Sequence, residues 1–166
     1  MSLLEGVGQL LLFEEEHREL GAVLSRVHAE SHARAVLLID TNGQLVADTG
    51  DTASLDVTSF ASLTASNIAA TASLARLVGE KDFTILFHQG ERDSIHISLV
   101  GQRAILAVIF GKEASLGLVR LRVRKAAAEI EDVVQRILRR MTLKDRLDVN
   151  PLCEITDQDI DDLFSF

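Results

Sequence analysis

Residues 56–79 read DVTSFASLTASNIAATASLARLVG, and the reading of this run decides the fold. Val57, Phe60, Thr64, Ile68, Thr71, Ala75 and Val78 recur at the spacing that lines one side of an α-helix. Asp56 stands where a cap would start that helix, and Gly79 where a glycine would end it. Around the rest sit Ala61, Ser62, Ala65, Ser66, Ala69, Ala70, Ala72 and Ser73, with no charge between Asp56 and Arg76. A solvated helix normally carries several charges on its outer face, so a helix this bare is expected to be covered on both sides. Two readings stay open: a central core helix of a self-contained domain, or a helix packed inwardly on its own sheet and outwardly on a partner.

Working outward, residues 13–29 place Leu20, Val23, Leu24 and Val27 at helical spacing behind the acidic start Glu14, Glu15 and Glu16. The run 33–40, ARAVLLID, and residues 45–49 flank Asn42-Gly43 in the pattern of a tight hairpin. After the central helix come strand patterns at 83–88, 94–100 and 103–110. Ile95, Ile97 and Leu99 alternate with His96 and Ser98, whereas AILAVIF at 104–110 is apolar throughout and belongs in the middle of a sheet. The strand count is five. From residue 115 to about 140, Leu116, Val119, Val123, Ala127, Ile130, Val134, Ile137 and Met141 form a long helical stripe. Arg120, Arg122 and Arg124 alternate with Leu121 and Val123 as a strand would, but the length of the stripe and AAAEIEDVV favour helix. Periodicity is lost over 142–150, read as a linker, and Pro151 opens a C-terminal segment, 151–166. There Thr156 is placed to cap a short helix.

The 166 residues suit one domain, taken as 1–141, with that appendage, and carry a net charge of −8, which argues against a general nucleic-acid binder. Trp and Tyr are absent, so no stacking platform for single strands stands out. The single cysteine, Cys153, precludes an internal disulfide and favours a reducing, cytoplasmic setting. The N-terminal uncharged run stops at Phe13, too short to span a membrane and without the basic start of a secretory signal. Charge is uneven: residues 112–146 hold ten of the seventeen Lys and Arg, and residues 154–166 hold five acids and no base.

Enzymatic signatures are missing. No phosphate-cradling loop, dinucleotide glycine motif, H-E-x-x-H or C-x-x-C occurs, and no cofactor or metal is expected. His88 and His96 flank a hairpin and could approach one another, but two imidazoles without an acid or thiol are read as ordinary strand histidines. The acids Asp157, Asp159, Asp161 and Asp162 lack the glycine turn and terminal glutamate of a calcium loop. The basic run on the last helix is read as a solvated face with pairs such as Asp132 to Arg136. The tail, with Ile155, Ile160, Leu163 and Phe164 among its acids, reads as a tethered segment that docks its apolar side in a groove, on this chain or another.

The element order, together with LLIDTNGQLVADTG, ASLTASNIAATASLARLVGE, FHQGERDSIHISLVG, SLGLVRLRVRKAAAEIEDV and the tail EITDQDIDDLF, resembles the roadblock (dynein light chain) family. Within it the chain is similar to bacterial members that activate a Ras-like GTPase of the MglA type. The resemblance implies an α/β fold of order αββαβββα, with a five-stranded antiparallel sheet, the central helix on one face and the first and last helices on the other. It implies a homodimer paired through the central helices and the strand beginning near Phe83. It implies a joint surface for one GTP-bound GTPase, carried onto Thr64, Asn67, Ile68, Ala69, Thr71 and Ser73. The tail residues Ile155, Ile160, Leu163 and Phe164 would anchor in a second groove of that GTPase. The expected role is regulation of cell polarity and motility by a cytoplasmic protein, concentrated at a cell pole in some settings. Stimulation of hydrolysis is expected to come from reshaping the GTPase switch region. Arg76, Arg92 and Arg103 qualify as inserted arginines by residue type only. A scaffold that binds a GTPase without stimulating it, and a small-ligand sensor, are the competing readings.

Overall fold

The computed structural model describes residues 14–149. In chain order they form α1 (Glu14–Ser31), β1 (Ala35–Asp40), β2 (Leu45–Gly50), α2 (Val57–Leu77), β3 (Ile85–Gln89), β4 (Ser94–Val100), β5 (Ala104–Phe110) and α3 (Leu116–Val149). The five strands make one antiparallel sheet in the order β2-β1-β5-β4-β3. β5 sits in the middle because every residue of AILAVIF is buried, and only a strand covered on both faces satisfies such a run.

Alternation along β1 and β5 divides the core in two. Val36, Leu38, Leu106, Val108 and Phe110 join Leu20, Leu24, Ile130 and Ile137 between the sheet and the α1/α3 layer. Leu37, Ile39, Ile105 and Ala107 meet Ala61, Ala65 and Ile68 of α2 on the other face. α1 and α3 lie antiparallel and are joined by ion pairs spaced along their seam. Arg122 bonds Glu30 (2.9 Å), Arg136 bonds Glu19 (2.7 Å), Arg26 bonds Glu129, and Arg140 bonds the buried Glu16. Arg122, Arg136 and Arg140 of the basic run on α3 are therefore paired with acids of α1. The i,i+4 pair of Asp132 and Arg136 is present as well (3.6 Å).

The hairpin between β1 and β2 positions α2. Asp40 Oδ1 accepts from the backbone N–H of Asn42 and of Gln44 (both 2.9 Å), which closes the turn. Gly43 adopts φ +88°, and a Cβ there would lie 3.0 Å from the Ser62 backbone, so a bare turn lets α2 rest on it directly. Asp56 caps α2 through its side chain to the Ser59 N–H (3.1 Å), and Gly79 follows the helix at φ +79°. The Ser59 hydroxyl also donates to this carboxylate (2.6 Å), and it and the Ser59 N–H hold the Asp56 carboxyl below its ordinary value.

Two expectations are corrected and one open possibility is closed. α3 does not stop near residue 141 but continues through Val149, because the expected linker holds good helix formers and no breaker before Pro151. Val78 is not part of the buried stripe: it is the C-cap of α2 and is exposed. His88 and His96 do not approach one another, because Phe87 pairs with His96 across β3 and β4 and places His88 on the opposite sheet face.

Candidate interaction surface on α2 and β3

α2 buries only small side chains and one isoleucine: Ala61, Thr64, Ala65, Ile68, Thr71 and Ala75 face the sheet. Its exposed surface divides into two unlike flanks. Asn67 donates from its amide nitrogen to His88 Nε2 on β3 (3.0 Å), so the side of the helix that carries Asn67 looks toward that strand. Leu63, Ala70, Leu74 and Leu77 fall on the same side at helical spacing, and Leu63 (70%), Leu74 (57%) and Leu77 (82%) are largely exposed. The flank toward the β1–β2 hairpin carries Ser62, Ser66, Ala69 and Ser73. Ser66 donates to the Ser62 carbonyl (2.9 Å) and Ser73 to the Ala69 carbonyl (3.4 Å), so these hydroxyls fold back on their own helix. The result is a low, uncharged ridge that another backbone can approach closely.

β3, the strand beside the leucine flank, is an open sheet edge. The other sheet edge, β2, carries Asp48 and is packed against α1, whereas β3 is exposed along nearly its whole length and shows Ile85 and Phe87 to solvent. An open edge with apolar side chains is a template for pairing with another strand. Ile85 and Phe87 pair with Ser98 and His96 and so face the α1/α3 side, while the leucine flank of α2 borders the same open edge from the other face, where His88 meets Asn67.

The residues expected to contact a partner are divided by the structure. Ala69 and Ser73 are exposed and Asn67 is half-buried, while Thr64, Ile68 and Thr71 lie against the sheet. Thr71 Oγ1 donates to the Asn67 carbonyl (2.8 Å) and so supports the residue that ties α2 to β3. Ile155, Ile160, Leu163 and Phe164 lie outside the described residues. Leu63, Leu74 and Leu77 were missed as surface residues, although their spacing already marks a second apolar stripe beside the first.

The three arginines do not converge. Arg76 donates to Ser73 Oγ (3.1 Å) near the end of α2. Arg92 lines an open pocket of about 700 Å³ near the start of β4, and Arg103 sits in the β4–β5 turn at the far end of that strand. Charges in the pocket largely cancel, since Arg34 is held by Asp93 (2.6 Å) and Asp51 (3.4 Å). Among the described residues no group of three or more His, Cys, Asp or Glu is placed to hold a metal ion, and no helix is long and apolar enough to cross a membrane. His96 is buried with neither ring nitrogen hydrogen-bonded; burial, reinforced by the nearby Arg120, pushes its imidazole below the ordinary value.

Comparison with known proteins fits this geometry. The family model described as Roadblock/LC7 domain matches residues 19–110. Among solved structures, the chain is similar to MglB of Myxococcus xanthus at 45% identity, covering 75% of this chain and 94% of that one with a TM-score of 0.72. A structure described as MglB with tetrameric arrangement matches at 32% identity over 76% and 96% of the two chains, TM-score 0.73. The gliding protein MglB of Thermus thermophilus matches at 31% identity over 75% and 95%, TM-score 0.71. A search of curated proteins finds no match. The chain belongs to the Roadblock/LC7 family, in the group typified by MglB.

Proposed function

We propose that this chain is a regulator of a Ras-like small GTPase of the MglA type, not itself an enzyme, and that it stimulates GTP hydrolysis as a homodimer. The observation that carries the reading is the division of the α2 surface into a leucine flank bordering the open β3 edge and a flat flank of small residues. Two copies joined through the leucine flank and β3 would extend the sheet and remove the apolar surface from water, at roughly 25 cal/mol per Å² buried. The tetrameric arrangement of one MglB relative supports self-association of this kind.

The small-residue flank, with Ala69 and Ser73, then faces outward on both copies and offers a shared platform to the GTP-bound partner. A donated arginine accelerates hydrolysis by roughly three to five orders of magnitude in GTPases that use one. Arg76 is tied to Ser73 at the end of this platform, and Arg92 and Arg103 stand at opposite ends of β4. The chain acts by the other route, preferential binding to the switch arrangement in which the GTPase's own groups reach the nucleotide. Segment 151–166 would add a second contact through Ile155, Ile160, Leu163 and Phe164. The name of the Thermus relative, a gliding protein, supports a place in motility.

Phosphate release by an MglA-type GTPase, measured with and without saturating amounts of this protein, tests the reading. Acceleration of at least tenfold is expected. A stable complex with unchanged turnover would leave a scaffold of the same fold, and no complex at all would remove the GTPase reading.

A further inference from the structure

The helical layer of α1 and α3 covers only part of its sheet face. α3 packs over β4 and β5. A Cβ placed on Gly101, just past β4, would lie 3.3 Å from the Glu131 carboxylate, and Arg120 is close enough to His96 to disfavour its protonation. α3 therefore runs beside β4 in the same direction and stops short of β3. Phe87 pairs with His96 and Ile85 with Ser98, which puts both on this face, beyond the helix. Phe87 stacks on Phe110 at 6.2 Å between ring centroids and remains 36% exposed; Ile85 is 50% exposed.

The wall of this strip is cationic where it passes Phe87 and Ile85, and Glu131 stands farther along at its Gly101 end. On the α1 side of α3, Arg122, Arg136 and Arg140 all have carboxylate partners. Arg120 and Arg124, one turn apart on the β3 side, form no ion pair among the described residues. An apolar strip floored by Ile85 and Phe87 and edged by two unpaired guanidinium groups fits an acidic peptide with apolar anchors.

We infer that this strip is the seat of residues 151–166 of this chain. That segment carries Glu154, Asp157, Asp159, Asp161 and Asp162 with no base, and places Ile160, Leu163 and Phe164 among them. At 1.5 Å per helical residue about 38 Å of α3 separates Val149 from Arg124. At about 3.3 Å per extended residue Asp161, Asp162, Leu163 and Phe164 come within reach of it, so seating needs the segment drawn out and not coiled into the short helix that Thr156 would cap. Seating withdraws the tail from other partners until one competes for it, and the contact weakens with salt because its charges are solvent-exposed. The inference goes beyond the GTPase reading and stands whether or not hydrolysis is stimulated.

The test uses the full chain carrying Cys153→Ser and Ser165→Cys, with a benzophenone maleimide on the single thiol beside Phe164. Photolysis and peptide mapping are expected to place the cross-links within 83–89 and 117–125. The yield is expected to fall at least tenfold in 0.5 M NaCl and in R120E/R124E. The milder R120Q/R124Q should give an intermediate yield, and the salt series on the unsubstituted strip needs no fold control. A cross-linked species of twice the chain mass with the same mapped peptides supports the seat and assigns the tail to the neighbouring copy. Cross-links on α2, cross-links scattered over the surface, or a yield indifferent to both salt and charge reversal would overturn the inference.

Discussion

Leu74→Ala isolates the self-association reading. Leu74 is 57% exposed on the β3 flank of α2, so the folded chain alone keeps little of its burial energy and should lose little stability. Three carbons are removed, each contributing about 0.8 kcal/mol when buried. Scaled by the exposed share, covering this side chain on association contributes about 1.4 kcal/mol per copy. A twofold interface counts the change twice, giving about 2.7 kcal/mol, which weakens the dissociation constant about a hundredfold. Leu121 provides a matched control: it is also 57% exposed, but sits on the outer face of α3, away from α2 and β3. Leu121→Ala removes the same atoms from the same exposure and should leave association unchanged. Sedimentation equilibrium over a range of concentrations reads both constants. Equal constants for the two variants and the unsubstituted chain would refute the argument, as would an equal loss in both.

Ala69→Arg puts a long charge on the small-residue flank and should abolish GTPase binding in a pull-down, while sedimentation still finds the associated species. Gly50→Ala should destabilise by at least about 2 kcal/mol in urea melts: the residue holds φ +92°, and a Cβ would lie 2.4 Å from the Arg34 carbonyl oxygen and 2.8 Å from the His28 ring. His96→Leu should flatten the acid side of the stability profile. The folded protein holds this imidazole below the 6.5 of the unfolded chain, so the unfolded state takes up the proton first. Stability is then full above pH 6.5 and declines as pH falls from there toward the lowered folded value. Urea midpoints at about pH 7.5 and about pH 5.5 should differ less in the variant than in the parent.

The layers of this fold were legible where one physical demand dominated. AILAVIF has no polar position to offer solvent, and a strand so made can only be central. Ser94–Val100 was bounded correctly, but its alternation misled about the faces, because the His96 and Ser98 side, expected to be open, is buried in the layer under α3 while Ile95 and Leu99 are only half-buried. The end of α3 was not legible, because loss of apolar period says where packing stops and not where hydrogen bonding stops, and residues 142–149 keep helix-forming composition. That His88 and His96 stay apart could not be read from the hairpin alone, because a hairpin brings strands together while the pleat sends neighbours to opposite faces. On α2 the scarcity of charge announced an outer contact, but the same small residues concealed that Leu63, Leu74 and Leu77 share a flank. Only the bond from Asn67 to His88 shows which strand that flank faces.

Pairing through β3 and seating of the tail are coupled by where the strip lies. Ile85 and Phe87 occupy the outermost strand, so on one chain the strip has a wall on the α3 side only. A second copy paired along that edge would bring its own Ile85, Phe87, Arg120 and Arg124 alongside, turning an open ledge into a groove with cations on both rims. The tail then gains apolar cover and a second set of opposite charges, while the dimer gains a segment laid across its joint. By linkage each event must favour the other. Leu74→Ala, which touches neither the strip nor the tail, should therefore lower the cross-link yield from position 165 at micromolar protein, where association is partial. Raising the protein concentration about a hundredfold should restore it. A yield that ignores both the substitution and the concentration would show that one chain's ledge seats the tail unaided, and the coupling would be discarded while the seat itself stood.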